Sequence, residues 1–198
     1  MFYDAVKNDH GFANDPFKAV VAPRPIGWIS TLSNDGVANL APYSFFNAFA
    51  ESPHYVAFGS GGYKHTLANI AQRGEFAVNL ATFQLRDAMN ATSANAAEHV
   101  DEFDLGRLTK SICEFIAVPR VGESPVTLEC KHFQTIELPD DEGRVADWLV
   151  IGKVLGIHID DRYIHDGRVD TAAMGLIARL GYSEYATIDK AWRMRRPA

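Results

Sequence analysis

One short stretch of the chain places a lysine, a histidine and a threonine where a helix is predicted to begin. Lys64, His65 and Thr66 follow a glycine-rich loop and precede apolar residues at Leu67 and Ile70, spaced as on one helix face. The first turn of a helix carries unpaired main-chain N–H groups and the positive end of the helix dipole. A lysine beside it and a predicted N-cap hydroxyl at Thr66 add charge and a polar group. This chemistry suits a phosphate monoester, although an ordinary capped helix with a solvated lysine would show the same residues.

A second polar stretch lies earlier, on a predicted β-hairpin. Two limbs at 23–33 and 37–45 flank the turn sequence Asn34-Asp35-Gly36. Because glycine and asparagine tolerate the positive φ that a tight reversal needs, this pattern predicts a hairpin. The returning limb carries Asn39, Ala41 and Ser44, which are small or hydrogen-bonding residues. We expect such a segment to let a ligand lie close against the main chain.

The remaining pattern predicts strands that are joined more often by turns than by helices. Strands are expected at 55–59, 75–80, 126–138 and 148–159, with a turn at 140–143. Helices are expected from Thr66 to Arg73 with Gly74 as the left-handed stop, within 84–115, and at 174–180. This order favours an antiparallel sheet or barrel over a doubly wound fold.

Composition limits the class of protein. The 198 residues, without internal repeat or linker, predict a single domain over 1–198, and 47% hydrophobic with 22% charged residues is typical of a globular protein with a sizeable core. A net charge of −6 argues against nucleic-acid binding. No apolar run approaches the roughly 20 residues of a membrane helix, and the N-terminus does not resemble a signal peptide. We expect no membrane partner and a cytoplasmic location.

The chain lacks the sequence motifs of several common catalytic and binding sites. The seven histidines show no pair at metal-ligand spacing, and the two cysteines, Cys113 and Cys130, are expected to be buried thiols, so no metal site is predicted. The glycines at 59–62 do not form a dinucleotide fingerprint, because Lys64 stands where its last glycine is needed. Neither a P-loop nor a Gly-x-Ser-x-Gly nucleophile motif is present.

A series of segments in fixed order resembles a known family. They are Arg24 to Thr31, Asn34-Asp35-Gly36, Asn39 to Phe46, Lys64-His65-Thr66 with Asn69-Ile70, and Glu75 to Asn79. Together they are similar to the flavin reductase-like, FMN-binding split-barrel family, which includes NAD(P)H:flavin oxidoreductases and flavoredoxins. The similarity is densest from about residue 20 to residue 80 and continues more thinly to Gly181.

This resemblance implies a mainly β fold with peripheral helices, a six-stranded antiparallel Greek-key split barrel. It also implies a homodimer with FMN near the subunit interface. The residues implied to contact the cofactor are Trp28, Ser30, Thr31, Asn39, Leu40, Ala41, Ser44, Phe45, Ser60, Lys64, His65, Thr66 and Arg179. Among them, Ser60, Lys64, His65 and Thr66 are assigned to the phosphate, while Trp28 and Phe45 are assigned to the flavin ring.

Structural roles compete with some of these assignments. Trp28 and Phe45 could be core aromatics, and Asn39 could satisfy only the hairpin backbone. Arg24 could fix loop geometry by a salt bridge as readily as it could touch the cofactor. His158 is the one candidate for a catalytic residue, with a hydrogen-bonded structural histidine on an apolar strand as the alternative.

One position departs from the family pattern. Reductase members often carry a histidine near the nicotinamide, just before the strand that here includes Gly152. In this chain Trp148 takes that place, which puts direct reduction by NADH in question while leaving FMN binding intact.

The resulting hypotheses differ in what reduces the flavin. The first is an NAD(P)H-dependent flavin reductase that passes hydride to FMN and supplies a partner oxygenase or another small-molecule acceptor. The second is an FMN-dependent oxidase or oxygenase, or a flavoredoxin-like electron carrier that NADH does not reduce. The third is a flavin-binding module without enzymatic activity.

Overall fold

The computed structural model describes residues 1–97 and 99–197, and over these residues it is mainly β with four short α-helices. The strands are β1 (Arg24–Pro25), β2 (Gly27–Leu32), β3 (Ala38–Tyr43), β4 (Phe46–Glu51), β5 (His54–Gly61), β6 (Glu75–Leu80), β7 (Lys110–Ser111), β8 (Arg120–Val121), β9 (Val126–Pro139), β10 (Val145–Ile159), β11 (Ile164–His165), β12 (Arg168–Val169), β13 (Leu176–Arg179) and β14 (Tyr185–Ile188). The helices are α1 (Phe17–Val20), α2 (His65–Arg73), α3 (Arg86–Ala91) and α4 (Glu102–Gly106), with a 3-10 turn at Asp161–Tyr163.

The principal sheet has seven strands in the order β3-β2-β6-β9-β10-β5-β4, and every neighbouring pair is antiparallel. The mainly β class is therefore confirmed, but this sheet contains seven strands where six were expected. Its two outermost strands, β3 and β4, are joined by Ser44 and Phe45 alone. Three virtual Cα–Cα bonds span at most about 11 Å. The sheet must therefore curl until its two edges meet at this connection.

The hairpin between β2 and β3 forms as predicted. Gly36 adopts a φ of 82°, and the N–H of Ser33 donates to the carbonyl of Val37 at 2.9 Å. The pairing runs from Gly27 opposite Tyr43 to Leu32 opposite Ala38. Positive φ is the conformation for which glycine is favoured, so this turn fixes the register of the two strands.

Helix α2 also lies where it was predicted, but its first residue differs. Lys64, in an extended conformation, is the N-cap, and Thr66 lies inside the first turn. The prediction of Thr66 as the cap is therefore wrong, because its hydroxyl turns inward and accepts a hydrogen bond from Asn39. The helix ends as expected at Gly74, which is left-handed at φ 70°.

The predicted helix at 174–180 is wrong. Residues Leu176–Arg179 form β13, which lies between β1 and β14 in a three-stranded sheet. An apolar run this short does not distinguish a buried strand from a helix by periodicity alone. The 84–115 segment is helix and loop as expected, with α3 and α4 followed by the short strand β7.

Two apolar clusters lie on opposite faces of β2. The first fills the curled sheet with residues that include Ile29, Phe58, Ile70, Phe76, Val78 and Val150. The second, with Trp28, Leu40, Met89 and Phe103, lies beneath α3 and α4. The 84–115 segment is thereby attached to the outside of the β2–β3 hairpin.

Gly152 offers a test of packing in the first cluster. A Cβ atom at Gly152 would lie 2.2 Å from Cζ of the fully buried Phe76, so Gly152→Ala requires the core to shift. We expect a loss of about 1–3 kcal/mol in the free energy of unfolding, measured by urea denaturation. Lys153→Ala, at the exposed neighbouring position, is the matched control. An unchanged stability for Gly152→Ala would contradict this packing.

Candidate functional site

A cleft of about 550 Å³ opens between the end of β3, the start of α2 and the segment that follows α3. This volume lies within the range of small-molecule sites. Its lining is polar on most sides and is formed by Lys18, Asn39, Ala41, Pro42, Tyr43, Ser44, Phe45, Gly59, Gly61, Tyr63, Lys64, His65, Thr66, Thr92, Ser93, Ala94, Asn95, Ala96, Glu102 and Asp147.

Buried side-chain hydrogen bonds hold α2 against the hairpin at the floor of this cleft. Asn39 Nδ2 donates to Thr66 Oγ1 at 3.0 Å, and Asn69 Nδ2 donates to Thr31 Oγ1 at 3.0 Å. All four side chains are buried. Because a buried polar group that loses its partner costs about 1–3 kcal/mol, these bonds fix how α2 is rotated toward the cleft.

The N-terminus of α2 faces the cleft through Lys64, His65 and Thr66. Over residues 1–97 and 99–197, no side chain caps this terminus. The first helical hydrogen bond recorded there runs from the N–H of Ala68 to the carbonyl of Lys64 at 3.1 Å. The N–H groups of the preceding turn are available to an anion, and the Lys64 ammonium lies beside them.

Tyr43 supplies a polar atom that lacks a partner. Its side chain is buried at the cleft, and burial raises its pKa against the opposing effect of the nearby Thr66 and Ser60 hydroxyls. Its own hydroxyl forms no hydrogen bond of standard geometry with any residue that the structure describes. Buried hydroxyls are normally hydrogen-bonded. A ligand with polar groups in the cleft would supply what Tyr43 lacks.

Glu102, the first residue of α4, brings a carboxylate into the same cleft. It is only 5% exposed, and its Oε2 accepts the N–H of Leu40 at 3.1 Å. Burial raises its pKa, opposed by the hydrogen bond from Leu40 and by the charge of His65. No sequence motif distinguishes Glu102, because the Asp101 cap before it marks only where α4 begins.

The open side of the cleft is aromatic and cationic. Phe45 is 43% exposed, and the Lys18 ammonium and Arg24 guanidinium lie 6.0 Å and 5.7 Å from its ring centroid. Arg24 itself is buried and donates to the main-chain carbonyls of Lys18, Val21 and Leu180. It thus fixes the loop, through carbonyls rather than through the salt bridge considered above.

Seven of the thirteen residues predicted to bind a cofactor line the cleft: Asn39, Ala41, Ser44, Phe45, Lys64, His65 and Thr66. The sequence did not single out the lining residues Lys18, Tyr43, Glu102, Asp147 and Thr92 to Ala96, most of which reach the cleft only through the tertiary fold.

The other six lie outside the lining. Trp28 is fully buried and its Nε1 donates to Thr92, Ser30 donates to the carbonyl of Pro119, Thr31 accepts from Asn69, and Leu40 is in the second apolar cluster. Ser60 donates to the carbonyl of Gly62, and Arg179 donates to Tyr182 and Tyr185. Their contact with a cofactor stays a prediction.

His158, the catalytic candidate, is outside the cleft lining and pairs with a buried carboxylate. Its Nε2 contacts Oε1 of Glu129. The same Oε1 accepts the N–H of Glu114 at 2.8 Å, and Oε2 accepts the N–H of Phe115 at 2.6 Å. Burial alone would raise the pKa of Glu129, but these hydrogen bonds outweigh it and lower the pKa. Burial raises the pKa of the nearby Cys113 to about 12, so its thiol is protonated. This arrangement clamps the 113–115 loop onto the sheet.

Trp148 lies on β10 opposite Ser60 and packs edge-on against Tyr63, with ring centroids 5.7 Å apart. Its neighbour Asp147 lines the cleft. An indole at this position cannot replace the imidazole that reductases of the family often carry near the nicotinamide.

No helix in residues 1–97 or 99–197 is both long and apolar enough to cross a membrane.

Comparison with known proteins agrees with this geometry. Residues 21–173 match the family model described as the flavin reductase like domain. An uncharacterized protein of Halalkalibacterium halodurans is 32% identical over 182 residues, covering 89% of this chain and 87% of its own.

Two solved structures share the fold closely. Nitrilotriacetate monooxygenase component B from Bacillus cereus has a TM-score of 0.88 at 28% identity, with 98% of each chain covered. The 2-nitrobenzoate 2-nitroreductase NbaA of Pseudomonas fluorescens has a TM-score of 0.81 at 26% identity, covering 91% of this chain and 88% of that one.

The Glu129 clamp gives a prediction about stability. Glu129→Gln keeps the shape but removes the charge that accepts two N–H groups, and we expect a loss of about 2–3 kcal/mol at pH 7. Because the folded-state pKa of Glu129 is lowered, its contribution is present above the unfolded pKa and disappears as pH falls through the folded pKa. Urea denaturation at pH 7 and near pH 3 should therefore show the difference from wild type shrinking in acid. Glu137→Gln, exposed on the same strand, is the control, and a pH-independent difference would contradict the assignment.

Proposed function

The chain belongs to the flavin reductase like family, and we propose that it is an FMN-binding oxidoreductase that passes hydride from NAD(P)H to FMN. The observation that carries this proposal is the cleft in which the β2–β3 hairpin and the start of α2 meet. Both segments carry sequence patterns that favour ligand binding, although they are separated along the chain. Their side chains are joined directly by the hydrogen bond between Asn39 and Thr66.

The phosphate of FMN would be held at the start of α2. Main-chain N–H groups of the first turn, the helix dipole and the Lys64 ammonium all favour a dianionic group at this point. Ser93, across the cleft, adds a hydroxyl to the lining. A terminal phosphate fits this single anion site, which is why we propose FMN rather than FAD.

The remainder of the cofactor would lie along β3. Asn39, Ala41 and Ser44 line that side, so main-chain groups and small side chains face the cleft. The unpartnered hydroxyl of Tyr43 is a buried polar atom that a hydroxylated ligand would satisfy. Phe45, partly exposed at the open side, offers an aromatic face for a planar ring.

Bound FMN supplies hydride chemistry, so the side chains need no nucleophile or acid–base pair. The role of the protein is to bind the FMN and to orient it. Gly59 allows the close approach of Phe45, since a Cβ at Gly59 would lie 3.2 Å from Cβ of Phe45. Main-chain N–H groups near the end of β3 could stabilise negative charge on the reduced ring. Lys18 adds positive charge at the same side of the cleft.

The acceptor of the reduced flavin is proposed from the similarity of this chain to a solved structure. A structure that covers nearly all of this chain is component B of a nitrilotriacetate monooxygenase, which is one component of an oxygenase system. We therefore propose that reduced flavin passes to a partner oxygenase or to another small-molecule acceptor, and that the working form is a homodimer.

Trp148 favours a second candidate function. Where reductases of the family often carry a histidine near the nicotinamide, this chain has an indole that packs on Tyr63. If the nicotinamide is excluded, the same FMN site would serve an oxidase, an oxygenase or a flavoredoxin-like electron carrier reduced by another donor.

Anaerobic stopped-flow mixing of the FMN-loaded protein with NADH or NADPH tests the reductase proposal. We expect the visible absorbance of the oxidised flavin to bleach on a timescale of about a second or faster. Bleaching by a reduced protein donor, or by an organic substrate, but by neither nicotinamide would overturn it in favour of the second candidate. Absence of bleaching with every donor would leave only flavin binding.

Titration of the apoprotein with FMN tests the phosphate site. Lys64→Ala combined with Thr66→Ala should weaken binding by about 2–4 kcal/mol, because the Lys64 charge beside the phosphate is lost and the buried bond from Asn39 that sets the orientation of α2 is broken. The effect on riboflavin, which lacks the phosphate, should be much smaller. Lys131→Ala, an exposed lysine on β9, is the control, and thermal unfolding verifies that each variant is folded. Equal FMN affinity for variant and wild type would move the phosphate elsewhere.

A further inference from the structure

We propose that Glu102 binds the cofactor phosphate as a neutral carboxylic acid, with its hydroxyl donating a hydrogen bond to a phosphate oxygen. This inference rests on the proposed function and assigns a phosphate contact that neither the sequence pattern nor the helix terminus supplies. Glu102 would then be a binding residue whose protonation accompanies cofactor uptake.

The position of Glu102 places a carboxylic acid at the end of the cleft where α2 begins and where the phosphate is proposed to bind. Its Oε2 accepts the N–H of Leu40, the neighbour of Asn39, which in turn bonds Thr66 at the start of α2. Glu102, His65 and Thr66 line the same cleft. The carboxyl group therefore lies at the end where the phosphate is proposed to bind.

Within residues 1–97 and 99–197, no ion pair offsets a negative charge on Glu102, although the N–H of Leu40 and the charge of His65 oppose the effect of its burial. Glu102 is only 5% exposed, and among the residues that the structure describes no basic side chain forms an ion pair with it. Burying an unpaired carboxylate is unfavourable, and burial accordingly raises its pKa. A dianionic phosphate nearby would oppose ionisation further.

The neutral acid fits both neighbours at once. One carboxyl oxygen can go on accepting the N–H of Leu40 while the protonated oxygen donates to the phosphate. The ionised form can only accept, and the oxygens of a dianionic phosphate also only accept. Protonation thus converts a repulsive contact into a hydrogen bond.

Other ionisable side chains lie on the elements packed around Glu102 and the cleft. They come from every neighbouring element: Lys18 on α1, Tyr43 on β3, Tyr63, Lys64 and His65 at the start of α2, Arg86 and Asp87 on α3, His99, Asp101 and Asp104 around α4, and Asp147 on β10. The phosphate itself titrates with a pKa of about 6. A test must separate Glu102 from all of these.

The coupling between protonation of Glu102 and FMN binding determines how FMN affinity changes with pH. If phosphate binding raises the pKa of Glu102, a proton is taken up on binding, and FMN affinity falls as pH rises between the free and bound pKa values. The limiting slope is a tenfold loss of affinity per pH unit. Glu102→Gln keeps an acceptor for Leu40 and an N–H donor for the phosphate but does not titrate.

The experiment measures FMN dissociation constants by fluorescence quenching from pH 5.5 to 9 for wild type and Glu102→Gln, with riboflavin titrated in parallel. The ratio of wild-type to variant constants cancels the titration of the phosphate and of unchanged side chains. We expect this ratio to rise with pH by up to tenfold per unit for FMN and to stay flat for riboflavin. In His65→Gln the acid is intact, so the ratio of its FMN dissociation constant to that of Glu102→Gln should also rise with pH.

A flat FMN ratio, or the same rise with riboflavin, would overturn the role of Glu102 while leaving FMN binding standing. Wild-type protein that takes up no FMN at any pH would instead refute the proposed function and this inference with it. Should Glu102→Gln fail to fold, Glu102→Asp serves as the second variant. It retains an ionisable group, so the wild-type pH dependence of FMN affinity must persist in it, displaced along the pH axis, and its absence counts against the proposal.

Discussion

The cleft depends on one constraint, which is that the side chains joining α2 to the β2–β3 hairpin are buried and must be hydrogen-bonded to each other. Asn39 with Thr66, and Asn69 with Thr31, satisfy this requirement across two elements that are far apart in sequence. Because amide and hydroxyl groups have directional bonds, a rotation of α2 would break both pairs. The orientation of the helix dipole at the cleft is therefore set by the core beneath it, before any ligand arrives.

A third buried amide supports the same region from behind. Asn79 on β6 donates to the carbonyl of Trp28 and to Ser30, and it accepts from the N–H of Val121 and from Thr127. These bonds join the hairpin to β8 and β9. Thus polar residues at the centre of the hairpin, which the family resemblance assigned to the cofactor, are engaged in holding the surface that carries the cleft.

Local patterns were sufficient for most of the strands, for the turn at Gly36 and for the end of α2 at Gly74, since each depends on side-chain alternation or on glycine conformation within a few residues. The stretch 174–180 was misassigned because its strand partners, β1 and β14, are not evident from local sequence. The residues of the cleft likewise divide into those that local sequence indicates and those that only tertiary contacts reveal. The α2 terminus and the β3 residues could be predicted from chemistry along the chain, whereas Glu102 and Tyr43 acquire their significance from burial, which only the tertiary fold determines.

The bond from Leu40 to Glu102 has a consequence for how the chain behaves in a crowded cell. Strand β3 is an outer strand of the principal sheet, and the N–H of Leu40 points away from β2 on its free side, as do the main-chain nitrogens of residues 38 and 42 by strand alternation. Position 42 is a proline and has no N–H to offer, while the N–H of Leu40 is already taken by Glu102. An intruding strand from another molecule would find almost no donor there with which to pair. The edge is thus protected against sheet-to-sheet aggregation by residues that also line the cleft.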